Sequence, residues 1–235
     1  MSNLIKDINK KIKLNKQIIT SVALVFFHKY YLVNPNIFQS ITTKELVFIS
    51  SSCILISTKY TNNFIHLDFL AETVNELLKN QDKREKQAIK DEIATYEYAI
   101  LSSCNFDFNI ELPYKWIKVI KDKITQNINC NNVAQLVTLW IYYINDSFIL
   151  PLSLRYDGIT ITLACFSILN SQFDLGVDVE KFITENNIYT SVSHITQCVS
   201  MMNNLLFNNN AKEKEKQCIQ INHSNSSVEI TQKVS

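Results

Sequence analysis

The sequence predicts an all-α protein made of two similar sets of five helices. The 235 residues include only two Gly and three Pro, so few positions suit the left-handed turns that β-hairpins and tight loops need. Apolar residues recur at helical spacing along most of the chain. The same order of helix types occurs twice, which favours a duplicated helical domain, and the length allows two domains of about 100 residues each.

The first half contains five predicted helices. Asn34-Pro35 stops the second of them, and the third begins at a capping box in which Thr42 and Glu45 can satisfy each other's free amides. The stretch 46–57 has almost no polar side apart from small hydroxyl residues, which predicts a central helix surrounded by the others. Four helices are expected at about 4–12, 16–33, 43–60 and 68–78, and the charged stretch 79–90 is expected to lead into a long fifth helix that carries residues 93–104.

The second half repeats this plan. Pro113 suits the first position of a helix, and the stretch 159–168 is again apolar all round with small residues between, so it predicts a second central helix. The helices are expected at about 114–124, 133–144, 151–169, 177–184 and 187–207. We therefore predict repeats over 1–110 and 111–207. Residues 208–235 are rich in Asn, Lys, Glu and Ser and are predicted to form a disordered tail.

Composition disfavours several functional classes. A formal net charge of +1 provides no general field for holding a nucleic acid. Gly158 and Gly176 are too far apart to form a phosphate-binding loop, and the four His have neither i, i+4 spacing nor a Cys companion at ligand spacing. No nucleophile motif is present. The sequence therefore predicts no catalytic residue, no metal and no cofactor.

Compartment is indicated by the cysteines and the apolar runs. The six Cys are widely separated and lie mostly inside apolar stretches, which indicates buried thiols in a reducing environment. The longest apolar runs are shorter than the ~20 residues that a membrane span requires, and no secretory signal is visible. We therefore expect a soluble intracellular protein without membrane contact.

Four stretches resemble cyclins of the transcription-associated type. They are VALVFFHKYY at 22–31, SCILISTKY at 52–60, YEYAILSSCNFDF at 96–108 and LPLSLRYDGITITLAC at 150–165. They occur in the family's order, and the resemblance spans about residues 4–207. The chain is thus similar to cyclins T, K and L and to the cyclin subunit of kinases that phosphorylate the carboxy-terminal domain of RNA polymerase II. This resemblance implies tandem five-helix cyclin-box repeats and a non-catalytic regulatory subunit.

The resemblance also implies a set of residues that bind the partner kinase. Lys59 and Glu97 match the family's Lys and Glu, which hydrogen-bond backbone groups beside the mobile C-helix of a cyclin-dependent kinase. A cation and a carboxylate near apolar helix ends are suited to satisfying such groups. The apolar surface around them would consist of Tyr60, Leu101, Phe106 and Phe108.

Alternative interpretations of these residues remain open at this point. A Lys at a helix C-terminus often only complements the helix dipole, as Lys59 would, and Phe106 and Phe108 could equally belong to the core. Thr61 and Asn62 stand where the family often has two acidic residues, so any contact of those two positions is in doubt. The Arg-Leu docking motif of cell-cycle cyclins is absent, so no substrate recruitment through that surface is predicted.

The resulting hypothesis is a heterodimer with a cyclin-dependent kinase in transcription, located in the nucleus or in both nucleus and cytoplasm, with room left for a third subunit. No direct contact with nucleic acid is expected. An alternative is a cyclin-fold general transcription factor that binds promoter DNA, although the sequence has no evident basic stripe or zinc ribbon. A splicing-associated cyclin would be expected to carry an Arg-Ser tail, which is absent.

Overall fold

The computed structural model describes residues 2–14, 16–78, 86–124 and 133–204, and all regular structure in these ranges is helical. The predicted all-α class is confirmed. Short 3-10 turns at Ile37–Gln39 and Pro151–Leu154 accompany the α-helices. The α-helices are α1 (Ser2–Lys11), α2 (Gln17–Val33), α3 (Thr43–Tyr60), α4 (Leu67–Leu78), α5 (Lys86–Ser103), α6 (Tyr114–Ile124), α7 (Val133–Ser147), α8 (Gly158–Phe173), α9 (Val179–Glu185) and α10 (192–204).

Helix α3 is the centre of the first group and contacts α1, α2, α4 and α5. Its residues 47–58 are all buried, as the sequence predicted for a helix without a polar side. The predicted capping box is confirmed, because the Glu45 N–H donates to Thr42 Oγ1 at 3.2 Å and the Thr42 N–H donates to Glu45 Oε2 at 2.8 Å. The Thr42 hydroxyl also holds the pKa of the Glu45 carboxyl below its usual value.

Helix α8 occupies the corresponding place in the second group and packs against α6 and α7. The prediction of one continuous helix over 151–169 is wrong. Pro151–Leu154 forms a 3-10 turn, and α8 begins at Gly158 after Asp157, whose Oδ1 accepts the Thr160 N–H at 2.9 Å. An Asp at an N-cap satisfies a free amide of the new helix, and this side-chain bond competes with continuing the preceding turn.

Several helices end on Asn or Asp in the left-handed conformation. Asn62, Asn105, Asp174 and Asn187 have φ of +54°, +51°, +49° and +51° and follow α3, α5, α8 and α9. Their short polar side chains tolerate this region better than most, so they replace the Gly that usually ends a helix. Because Asn187 is left-handed, α10 begins at residue 192 and not at the predicted 187. The small number of Gly therefore understated the number of left-handed turns.

The two groups meet along α2. Helix α2 contacts the 3-10 turn Pro151–Leu154, and the hydroxyls of Ser21 and Tyr114 lie 2.7 Å apart. The boundaries at residues 110 and 207 stay predictions. The predicted tail over 208–235 lies outside the described residues, as do Cys130 and Cys218. The four cysteines within the described ranges are Cys53, Cys104, Cys165 and Cys198, and each is a buried free thiol.

Candidate partner-binding site

The C-terminal end of α3 lies beside the middle of α5 and joins it by an ion pair. Lys59 Nζ is 2.6 Å from Oε1 and 2.9 Å from Oε2 of Glu97. The Lys59 side chain is 52% exposed, whereas that of Glu97 is 16% exposed. The carboxylate therefore lies at the edge of the helix pair, and the ammonium covers it from the solvent side. The structure thus brings together the two polar residues that the sequence singled out.

This ion pair contributes little to folding. An exposed Lys-carboxylate pair stabilises a protein by about 0–1 kcal/mol, because water screens the attraction and the long side chain loses rotamer freedom. The ammonium has three donors, and across the described ranges its hydrogen bonds go only to Glu97. Lys59 can therefore donate to a carbonyl of another protein at low cost, and Glu97 can accept from an amide when the pair rearranges.

Beneath the pair, α3 and α5 are held in close contact. Ser52 donates its hydroxyl to the Ile93 carbonyl at 2.8 Å, which ties a small residue of α3 to the backbone of α5. The rings of Phe48 and Tyr96 stack with centroids 6.3 Å apart. Stacked aromatic pairs add to the area that they bury, so the two helices form a firm base for the groups on their surface.

The segment after α5 presents Phe106 to solvent. The Asn105 N–H donates to the Ser102 carbonyl and the Phe106 N–H to the Leu101 carbonyl, both at 2.9 Å, which is a Schellman cap. Phe106 itself is left-handed, with φ of +54°, a conformation that costs a non-glycine residue about 1–2 kcal/mol. The residue is 51% exposed, and its ring lies edge-on to that of Tyr98 with centroids 6.3 Å apart. A strained backbone thus holds a large aromatic ring outside the core.

Two residues further on, Phe108 is anchored to α2. Its ring meets Phe26 edge-on with centroids 6.1 Å apart, and 45% of the residue stays exposed. Lys29 donates to Asp107 Oδ2 at 3.0 Å and to the Asp107 carbonyl at 3.2 Å. The Asn109 amide and the Lys29 ammonium hold the pKa of the Asp107 carboxyl below its usual value. These contacts fix the segment that carries both phenylalanines.

The other two predicted residues lie partly inside the protein. Tyr60 and Leu101 are half-buried and pack against the core. The Tyr60 hydroxyl donates to the Ile110 carbonyl over 3.4 Å, which is a weak bond. Of the four predicted apolar residues, Phe106 and Phe108 are exposed, so the alternative that they belong to the core is wrong. The candidate surface is therefore made of Lys59, Glu97, Phe106 and Phe108, with Tyr60 and Leu101 along its base.

Two exposed aromatic residues that follow site residues in the chain were missed by the sequence reasoning. Tyr98 follows Glu97 on α5 and is 68% exposed, and Phe64 follows the end of α3 and is 73% exposed. The signal for Tyr98 was available, because it lies off the apolar stripe formed by Ile89, Ile93 and Ile100. No sequence signal separates Phe64 from a core aromatic, because it lies in a loop.

Metal-binding clusters and membrane-spanning helices are both absent from the described ranges. These ranges hold no group of three His, Cys, Asp or Glu side chains arranged to bind a metal ion. None of the helices in the same ranges is both long and apolar enough to cross a membrane.

The chain is similar to known proteins in its fold and in its sequence. No family model matches the chain. A chain in the crystal structure of the yeast RNA Pol II CTD kinase CTDK-1 complex matches with a TM-score of 0.70 and 16% identity, over 88% of this chain and 64% of that one. Its fold is the cyclin-box fold. The chain has the cyclin fold.

The curated relatives carry cyclin names. Cyclin pch1 of Schizosaccharomyces pombe is 27% identical over 172 residues, which is 70% of this chain and 47% of that protein. Cyclin-T1-2 of Oryza sativa subsp. japonica is 26% identical over 161 residues, which is 65% of this chain and 24% of that protein. Together these similarities support a transcription-type cyclin, as the sequence motifs indicated. The aligned part spans about half of the first relative and a quarter of the second.

Proposed function

We propose that this cyclin-fold protein is the non-catalytic regulatory subunit of a cyclin-dependent kinase that phosphorylates the carboxy-terminal domain of RNA polymerase II. The observation that carries the proposal is the Lys59–Glu97 pair between α3 and α5, together with the exposed Phe106 after the end of α5. The cyclin names of the relatives and the CTD kinase complex that contains the structural neighbour support it. A role in the nucleus follows from this function.

The site would act by holding the kinase in its active conformation. A protein kinase is active when its C-helix turns inward, so that the helix Glu pairs with the Lys that holds the ATP phosphates. Lys59 would donate to backbone carbonyls beside that helix, and Glu97 would accept from backbone amides. A shift from 1:99 to 99:1 in favour of the inward state requires about 5.5 kcal/mol of differential affinity.

The exposed aromatics would supply most of this affinity. Binding hot spots are enriched in large side chains that become fully desolvated in the complex, and Phe106 and Phe108 expose such surface. Their segment is already held by the Schellman cap and by Lys29, so little conformational entropy is lost when a partner binds. The strained backbone at Phe106 thus keeps the contact surface in place before a partner binds.

The test is to mix the purified chain with a panel of cyclin-dependent kinases and to measure complex formation and phosphorylation of a polymerase tail peptide. We expect one kinase to bind and to be stimulated, and Glu97→Ala and Phe106→Ala each to weaken that complex by at least about tenfold. Both variants should keep the thermal stability of the free protein to within a few degrees.

Matched controls lie on the second group of helices. Lys181→Ala removes one partner of the exposed Lys181–Glu185 pair on α9, and Tyr189→Ala removes a fully solvated aromatic. We expect both variants to bind the kinase with unchanged affinity. A chain that binds no kinase, or that binds one without stimulating it, would contradict the activating role. Salt-sensitive binding to duplex DNA in its place would favour the promoter-binding alternative.

A further inference from the structure

The C-terminal turn of α2 exposes a cluster of apolar side chains, the α2 patch, made of Tyr31, Leu32, Val33 and Ile37. Leu32 is 67% exposed and Val33 58%, and the other two are exposed by more than two-fifths. Three of the residues are consecutive, so the patch occupies a broad arc of the last helical turn. Single exposed apolar residues are normal on a protein surface, whereas a contiguous group marks a contact surface.

Phe38 packs against aromatic rings of α2 and holds the α2 patch in place. The ring of Phe38 meets Tyr31 at 4.8 Å and Phe27 at 5.5 Å between centroids, both edge-on. These contacts fasten the 3-10 turn Ile37–Gln39, and with it Ile37, to the end of α2. A surface that is ordered before binding loses little entropy when it is covered, so the patch is suited to specific recognition.

Two contacts link the end of α2 to the candidate partner-binding site. Asn34 Nδ2 donates to Ser103 Oγ at 3.2 Å, at the last residue of α5, and Lys29 holds Asp107. Phe106, the more exposed of the two predicted phenylalanines, lies between Ser103 and Asp107 in the chain. A protein seated on Phe106 would therefore border the α2 patch.

The size of a stable interface also indicates that a kinase covers more than the candidate partner-binding site. A standard protein–protein interface uses about 20–30 residues on each side, and six residues at α3 and α5 are far fewer. The surface that contacts a kinase must therefore extend beyond them. The stretch 31–39 contains no charged residue, so a partner would cover it with apolar or neutral groups.

We propose that the α2 patch is a second part of the kinase-binding surface and is covered by an apolar segment of the same kinase. This inference rests on the proposed function, because it names that kinase as the occupant. It assigns a contact role to α2, in addition to the residues of α3 and α5. The α2 patch contributes affinity, while the Lys59–Glu97 pair selects the orientation of the kinase helix.

The experiment uses the full chain and the kinase with which it co-purifies. The double variant Leu32→Gln/Val33→Thr keeps a similar shape at two exposed positions but removes apolar surface. We expect it to lower the affinity for the kinase by at least about tenfold without a change in thermal stability. The control is Ile141→Gln/Tyr142→Thr, which alters an adjacent exposed pair on α7 and should leave the affinity unchanged.

A second readout is amide hydrogen exchange over residues 29–40, which should slow when the kinase binds. Unchanged affinity in the α2 double variant, or unchanged exchange in this segment, would overturn the inference while leaving the proposed function intact. A wild-type chain that is dimeric alone and becomes monomeric in the double variant would identify a second copy as the occupant and would also overturn it. A wild-type chain that binds no kinase would overturn both.

Discussion

The two groups of helices share a plan but differ at the ends of their central helices. Helix α3 ends with Lys59, whose exposed ammonium reaches across to Glu97 on the neighbouring helix. Helix α8 contains no charged residue. Near its end, Asn170 donates to the Val177 carbonyl at 2.7 Å and accepts the Val177 N–H at 3.1 Å. Asn170 near the end of α8 is thus bonded within the protein, whereas the ammonium of Lys59 at the end of α3 lies at the surface.

The two groups are alike in their cores and differ at the surface. The buried sides of α3 and α8 are alike, because both pack small and apolar residues against their neighbours. The surface at their ends is where they diverge, because α3 ends with the exposed cation Lys59 beside Glu97, whereas α8 itself contains no charged residue. Repeats of a fold keep the core pattern, and function depends on the site that each one carries.

The largest expected effect tests whether the two cores are equivalent. Trp140 is almost fully buried, and its ring is tilted against that of Phe166 with centroids 5.1 Å apart. Its Nε1–H donates to the Thr162 carbonyl at 2.9 Å. Phe48, on α3, is a comparably buried aromatic residue of the first group. Trp140→Ala and Phe48→Ala should each lower the free energy of unfolding by about 3–5 kcal/mol, because each leaves a large cavity. Denaturant titration measures this, and a loss below 1 kcal/mol in either variant would break the equivalence.

The next effect concerns the first group alone. Burial of His28 in α2 lowers its pKa from 6.5 to about 4. Between these values the unfolded chain binds a proton that the folded chain does not. The free energy of unfolding is therefore unaffected by protonation of this histidine above pH 6.5. It falls by about 3 kcal/mol as the pH falls from 6.5 towards 4.

We expect the variant His28→Leu to lack this part of the acid sensitivity. The measurement compares the free energy of unfolding of both proteins at pH 7 and pH 4.5, and the difference between the two curves isolates the histidine. His194→Gln, at an exposed position of α10, is the control and should follow the wild type. Identical pH dependence in His28→Leu and wild type would refute this assignment.

The smallest effect on stability should come from Lys59. Lys59→Ala removes an exposed ion-pair partner, so the free energy of unfolding should change by no more than about 1 kcal/mol. Affinity for the kinase should nevertheless fall several-fold, because the cation that reaches the partner backbone is lost. A large loss of stability with unchanged binding would mean that the end of α3 serves the fold, as the end of α8 does.

Local features of the sequence predicted much of the fold. The Thr42–Glu45 capping box marked the start of α3, and the bounds Tyr114–Ile124 of α6 agree with the prediction. Predictions failed where a side chain acts on a distant or competing backbone group. The Asp157 cap divides the region before α8, and left-handed Asn187 delays the start of α10. Neither outcome is visible in apolar periodicity.

The candidate site was predicted in part. Lys59 and Glu97 were singled out from a family resemblance, and the structure pairs them. The exposure of Phe106 could not be deduced from its sequence neighbours, because it depends on two successive left-handed residues, Asn105 and Phe106. Tyr60 and Leu101 proved half-buried for a related reason, since their exposure is determined by how closely neighbouring segments pack.

The sequence by itself determined that the chain is helical, where most helices begin and end, and which two helices form the centres of the groups. These properties follow from apolar spacing and capping residues within a few positions of one another. Only the tertiary structure decided that Lys59 meets Glu97, 38 residues away, and that Phe106 and the α2 patch face solvent. Pairing and exposure depend on side chains that are remote in sequence, so no local pattern contains them.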